Sequence, residues 1–310
     1  MEIIPSLLGF ISNRLKVVKQ NVSDLVNDTG NALEKTAENT AQTIKETIQD
    51  PMAFSGAGTM IGKNAKLFNF KEADRAQKMI ASGRSPKEAH GNTGTWTGHP
   101  DKQLRQEISD EEAAFDSAHF LVDAQVDRYI PSEIVKYTRD GTTLSQVLRH
   151  PALFANYPEL RNVEALIATG SKMRAGQYDP TTNRIIVSGR NPDEALSILI
   201  HEVAHAVQRK EGWAPGASME AIPFDPRTKS MYEGKIQQLK RNPNIDWTDI
   251  VNLQNIDKRM RYELYARIAG EMDARAAQNR RYFDERLRRQ IYPELSYDIP
   301  LKEMILGHPR

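Results

Sequence analysis

Residues 192–211, PDEALSILIHEVAHAVQRKE, most narrow what this 310-residue chain can fold into. Ala195, Leu196, Ile198, Leu199, Ile200, Val203, Ala204 and Val207 place apolar side chains nearly all round a helix, and a helix of that kind has to be buried. Its ends are written locally. Asn191 is a good N-cap, Pro192 suits the first turn, Glu194 is placed for a capping box, and Gly212 stops the helix. Yet His201, Glu202 and His205 lie inside this run. Three such groups are costly to bury unless each finds a partner or an ion.

His201 and His205 are four positions apart, about 40° around the helix and about 6 Å along it. Both imidazoles therefore leave the same face and can share one ion. Glu202, one residue on, cannot join that pair but can reach a water held by the metal. The H-E-x-x-H pattern supplies two neutral imidazole ligands and a general base in this way. The plain alternative is a pair of core histidines with Glu202 in an ion pair, which leaves too many buried polar atoms to satisfy. The chain has no cysteine, so thiol nucleophiles, disulfides and Cys-zinc sites are excluded and a metal must draw on His, Asp or Glu.

A catalytic zinc takes a third protein ligand. Gln208 stands where an HExxHxxG pattern needs glycine, so the metzincin arrangement is excluded, and His90, His99, His119, His150 and His308 lie far off in the chain. An acid from a later helix is the better candidate. In YARIAGEMDARAAQ, Gly270 precedes Glu271, and the small residues Ala266, Ala269 and Ala274 allow close approach to the first helix. Glu271 is the first choice and Asp273 the second.

Around this site the chain reads as three parts. Residues 1–50 form an amphipathic, helix-prone N-terminal region, 51–66 a Gly-rich linker, and 67–310 the main domain. Ile3, Ile4, Leu7, Leu8, Phe10, Ile11 and Leu15 cover much of one helix surface. Such a segment suits a membrane interface, a partner helix or its own domain. No apolar run is long enough to span a bilayer, and the start lacks the basic residues of a signal peptide. Within the main domain, Lys71–Ser82 reads as a helix and the stretch from Gly83 to Lys102 as loop. Ser109 and Glu112 read as a capping box heading a helix through Phe115. Strands are expected at Ile134–Tyr137, Val163–Ala168 and Arg184–Ser188, a short helix at Thr143–Arg149, and a long helix from about Ile250 to Arg288. The C-terminal IYPELSYDIPLKEMIL reads as mostly extended or loop.

The runs ILIHEVAHAVQRKEGWAPGAS and YARIAGEMDAR, with DIP near the end, resemble the zincin-like domains of large polyvalent proteins from phages and mobile elements. GRSPKEAHGNTGTWTGHPDKQLRQEISD is similar to the leading part of such domains, and YPELRNVEALI and GQYDPTTNRIIVSG to their short strands before the active helix. The resemblance runs from roughly Asn69 to Leu306 and leaves out residues 1–66. It implies an α+β, zincin-like metallopeptidase domain with a small mixed β-sheet, carried by a phage or prophage and packaged in the virion in some settings. It also supports a gluzincin-like ligand set with Glu271 third, as the first acid of a glycine-Glu-x-acid-Ala-Arg run. Better-known relatives carry an Asp four residues after the ligand Glu to orient a histidine; this chain has Arg275 there. Support for the histidines then falls to Asp273 or a backbone carbonyl.

The expected chemistry is peptide-bond hydrolysis. His201, His205 and Glu271 hold Zn2+, and Glu202 takes a proton from the water and passes it to the leaving amine. The strand Arg184–Ser188 holds an extended peptide by edge pairing. Tyr265, Tyr262, Tyr232 and Arg275 are candidates for stabilising the oxyanion, and the sequence does not choose among them. The partner is thus a peptide or protein substrate. A net charge of +1, from 42 basic and 41 acidic residues, gives no reason to expect nucleic acid. A reading of another class is a virion structural or ejected protein. There the zinc only holds the fold, and residues 1–50 make the virion-protein or membrane contact.

Overall fold

The computed structural model describes residues 57–123, 135–171, 174–217, 230, 233, 234, 237, 238, 241, 261–281 and 283–305. The N-terminal region 1–50 and the first part of the expected long helix, 250–260, lie outside the described residues, as does Tyr232. The described chain begins with β1 (Ala57–Ile61), α1 (Phe70–Ala81), α2 (Pro86–Thr93), β2 (Trp96–Thr97), β3 (Leu104–Ser109), β4 (Ala114–Phe115) and β5 (Phe120–Asp123). It continues with β6 (Val135–Thr138), α3 (Leu144–Val147), β7 (Leu148–Arg149), α4 (Pro151–Asn156), β8 (Glu164–Thr169), β9 (Ala175–Asp179) and β10 (Arg184–Gly189). Three helices complete it: α5 (Pro192–Glu211), α6 (Ala269–Arg280) and α7 (Glu285–Gln290). The class is mixed α+β, with small sheets and several helices. Among the described residues no helix is long and apolar enough to cross a membrane.

The largest sheet has the order β5-β6-β8-β10-β9 and is mixed, because β10 runs parallel to β8 and antiparallel to β9. Period-2 burial sets its inner face: Ala165, Ile167, Ile185 and Val187 are buried, while Ile186 points out. Helix α5 packs on that inner face, against β8, β9 and β10. Half of the expected cap forms: the Asn191 side chain accepts from the Glu194 N–H, but the Glu194 carboxylate accepts from the Arg190 N–H (2.7 Å) instead of closing a capping box; Gly212 ends the helix at φ 68°. Gly189 lets the strand end meet the first turn of α5, since a Cβ there would overlap the Ala195 backbone.

On the other side of α5 lie α6 and β1. Helices α5 and α6 are antiparallel: Gln208 Nε2 donates to the Gly270 carbonyl (2.7 Å) near one end, and Gln278 Nε2 to Ser197 Oγ (2.8 Å) near the other. Small side chains keep them close, with Ala204, Ala274 and Ala277 buried together. A three-stranded sheet, β1-β3-β2, closes this side.

Four expectations are corrected here. Residues 57–66 are not linker throughout: β1 pairs antiparallel with β3, and Thr59, Met60 and Ile61 are buried. Ser109 does not open a helix. It ends strand β3, its Oγ accepts from the Glu111 N–H (3.2 Å), and β4 follows where the helix was expected. The stretch 83–102, expected as loop, contains α2 and β2; Ser85 and Glu88 form the capping box that starts α2. The long helix is broken: residues 261–266 are helical, Arg267 and Ile268 interrupt, α6 runs to Arg280, and α7 starts afresh at Glu285. The interruption is tertiary, because Ile305 N donates to the Arg267 carbonyl (2.8 Å) and Ala269 N to the Ile305 carbonyl (2.9 Å).

Candidate metal centre

His201 and His205 leave one face of α5 and meet Glu271 from the first turn of α6. The two Nε2 atoms are 3.2 Å apart; Glu271 Oε2 is 3.3 Å from His201 Nε2, and Glu271 Oε1 is 3.4 Å from His205 Nε2. The imidazoles stand edge to face at 84°. Glu271 is buried, and both histidine side chains are 12% exposed.

A zinc ion fits this donor set. Two imidazole Nε2 atoms in mutual contact cannot both point N–H groups at each other, so at least one presents a lone pair, and the carboxylate adds a hard, charged donor within 4.8 Å of both. Two His and one Glu, with no thiolate, is a ligand set of catalytic zinc.

The charges respond to this crowding. Burial works to lower the His205 pKa, but the Glu271 charge and hydrogen bond outweigh it, aided by Glu202 and Gln208, and raise it to about 9. Burial lowers that of His201, with the neighbouring His205 acting the same way. Burial would raise Glu271, yet His205 and His201 hold it well below the carboxylate range. The Glu271 carboxylate thus favours added positive charge at the two histidines, as a proton or as a cation.

Glu202 follows His201 on α5 and is 5% exposed. Burial pushes its pKa up to about 7, although His205 and the backbone of Tyr178 favour its charged form. Its carboxylate packs against Gly176 of β9, where a Cβ would overlap both Glu202 Oε1 and Ile198. Among the described residues, strand β9 is the edge of the five-stranded sheet. The strand Arg184–Ser188, expected to offer a free edge, is β10 and lies inside the sheet with β8 and β9 on its two sides.

Other expected residues divide. Tyr265 is half-buried on the Glu271 side of the site; burial first, then the Glu271 charge, raise its pKa far above the phenol range. Tyr262 is exposed. Arg275 Nε donates to Asp298 Oδ2 (2.8 Å) and Nη2 to Asp298 Oδ1 (3.1 Å) and the Ala266 carbonyl, which joins the two resembling runs, GEMDAR and DIP. Asp273 points elsewhere than at a histidine. It accepts from Arg105 Nη2 (2.9 Å) and Tyr297 Oη (2.6 Å), and the buried Arg105 also reaches Asp101 (2.8 Å) and stacks over Trp213.

Two groups at the site were not anticipated. Gln208 Oε1 is 2.9 Å from His205 Nδ1, and the Ala217 N–H donates to Glu271 Oε1 (3.0 Å). The signal for Gln208 was its i+3 spacing from His205 on one helix face. Nothing local marks Ala217. It is brought in by the turn after Gly212, and Gly216 beside it has no room for a Cβ against His205 and Glu271.

Neither a curated protein nor a solved structure matches the chain. Residues 58–116 match the family model described as large polyvalent protein associated domain 23. This stretch packs on the helices of the site: β1 lies against α5 and α6, Arg105 pairs with Asp273, and Glu107 with Arg280. Over residues 58–116 the chain is therefore similar to a domain of large polyvalent proteins, which supports a phage or mobile-element context.

Proposed function

We propose that this chain is a zinc-dependent peptidase, with a zincin-like domain that hydrolyses peptide bonds through a metal-activated water. The observation that carries the reading is the convergence of His201, His205 and Glu271, with the buried carboxylate of Glu202 on the next residue of the same helix. Bound there, zinc supplies a Lewis acid that lowers the pKa of its water and polarises a carbonyl.

The protein's own groups do the rest. Glu202, as carboxylate, accepts the proton of the attacking water and delivers it to the amine nitrogen as the C–N bond breaks. A carboxyl with a pKa near neutrality can do both. The edge strand β9 passes Glu202 at Gly176, so an extended peptide that adds to this edge runs beside the site. Tyr265, whose phenol responds to the charges of both Glu271 and Glu202, is assigned the oxyanion donor. The polyvalent-protein match over residues 58–116 supports only the phage or mobile-element setting of this reading.

The test is hydrolysis of a denatured protein by zinc-loaded wild type and Glu202→Gln. Loss of at least about 100-fold in kcat/KM with zinc retained supports the reading. Undiminished hydrolysis in the variant, or none in the zinc-loaded wild type, overturns it and leaves a metal that only holds the fold.

A further inference from the structure

We infer that Gln208 is a positioning residue: it fixes His205 in the tautomer whose Nε2 lone pair faces the metal site, and ties that histidine to the helix that carries Glu271. The inference rests on the metal-site reading above. Gln208 is 2% exposed, so its amide has no recourse to solvent. Its two ends have different obligations. One lies 2.7 Å from the Gly270 carbonyl, which can only accept, so that end is the NH2 group. The other, 2.9 Å from His205 Nδ1, is then the carbonyl oxygen, which also only accepts. His205 Nδ1 must carry the hydrogen. In the neutral ring this leaves Nε2 bare, 3.2 Å from His201 Nε2 and 3.4 Å from Glu271 Oε1. The conclusion does not depend on how the amide was oriented, because the Gly270 carbonyl decides it.

The same side chain sets the spacing of the site. Gly270 precedes Glu271, and its Cα packs against the Pro215 and Gly216 backbone too closely for a Cβ. Gln208 therefore bridges one ligand's ring and the backbone next to another ligand. His201 has no such support: its Nδ1 is buried without a partner among the described residues. The orientation of the donor set falls on the one histidine that Gln208 holds.

The experiment is zinc affinity, by competition with a chromophoric chelator, for wild type, Gln208→Leu and Gln208→Glu. Leu keeps the volume and loses both hydrogen bonds, and is expected to weaken zinc binding 10- to 100-fold, the usual effect of removing a ligand's supporting partner. Glu still accepts from Nδ1–H but has no donor for the Gly270 carbonyl, and is expected to weaken zinc binding clearly less than Leu. Equal affinity in Leu and wild type overturns the inference, as does equal loss in Leu and Glu, which indicates a packing role. The tautomer itself is read from the imidazole nitrogen-15 spectrum of the metal-free protein at alkaline pH, where the inference requires the hydrogen on His205 Nδ1. A wild type that shows this hydrogen but takes up no zinc defeats the peptidase reading while leaving the tautomer role intact. A hydrogen on Nε2 defeats the inference whatever the zinc result.

Discussion

In the metal-stripped protein, Glu202→Gln should raise stability at alkaline pH and leave it unchanged in acid. The buried Glu202 carboxyl has a folded-state pKa of about 7 against an ordinary value of 4.5. Below the ordinary value the group is protonated in both states and costs nothing. Above it the unfolded chain releases the proton while the folded one keeps it, so stability falls as pH rises, until the folded group also ionises near pH 7. At ~1.4 kcal/mol per pH unit the accumulated penalty is about 3 kcal/mol. Gln removes it and keeps the shape. Urea unfolding of both proteins in chelator, at about pH 4.5 and about pH 8, measures the difference. The expected gain is near zero at the lower pH and about 3 kcal/mol at the higher. Parallel stability-versus-pH curves for the two proteins would refute the burial argument and place the Glu202 carboxyl in contact with solvent.

Three other substitutions probe the supports of the site. Gly176→Ala puts a Cβ into the Glu202 carboxylate, and is expected to cost at least about 10-fold in kcat/KM while zinc content stays at the wild-type level. Gly270→Ala drives a Cβ into the Pro215 and Gly216 backbone; urea unfolding should show a loss of about 1–3 kcal/mol together with weaker zinc binding. Arg105→Met strands the buried Asp273 charge, and should cost about 3–5 kcal/mol, much of it recovered in the Arg105→Met, Asp273→Leu double variant.

The buried helix was legible because its signals are local. Asn191, Pro192 and Gly212 act on backbone groups within a few residues, and the all-round apolar pattern left only one kind of environment for α5. The partner acid was legible for a similar reason: the glycine and alanines about Glu271 announce a helix that can come close. What failed was decided at long range. Ser109-x-x-Glu112 has the form of a capping box, but Asp110 between them is drawn inward, accepting from the Thr59 N–H (2.9 Å) and pairing with His150 (2.7 Å). Residues 57–61 look like a flexible glycine stretch until β3, far along the chain, supplies their hydrogen bonds. Strand order is likewise not a property of any one strand: Arg184–Ser188 reads by itself as an edge, but in the sheet it lies between β8 and β9. In the sequence Gln208 marks only a departure from a glycine pattern; its place beside His205 depends on the Gly270 carbonyl, 62 positions later.

The central claim is that one face of α5 and the first turn of α6 together hold a metal, and its most direct measurement is zinc stoichiometry by mass spectrometry on purified wild type, Glu202→Gln, His201→Ala, His205→Ala and Glu271→Ala. The account predicts about one zinc per chain in the first two proteins and a large loss in each of the other three. A wild type that takes up no zinc when it is supplied, or variants without His205 or Glu271 that keep it undiminished, would contradict the account.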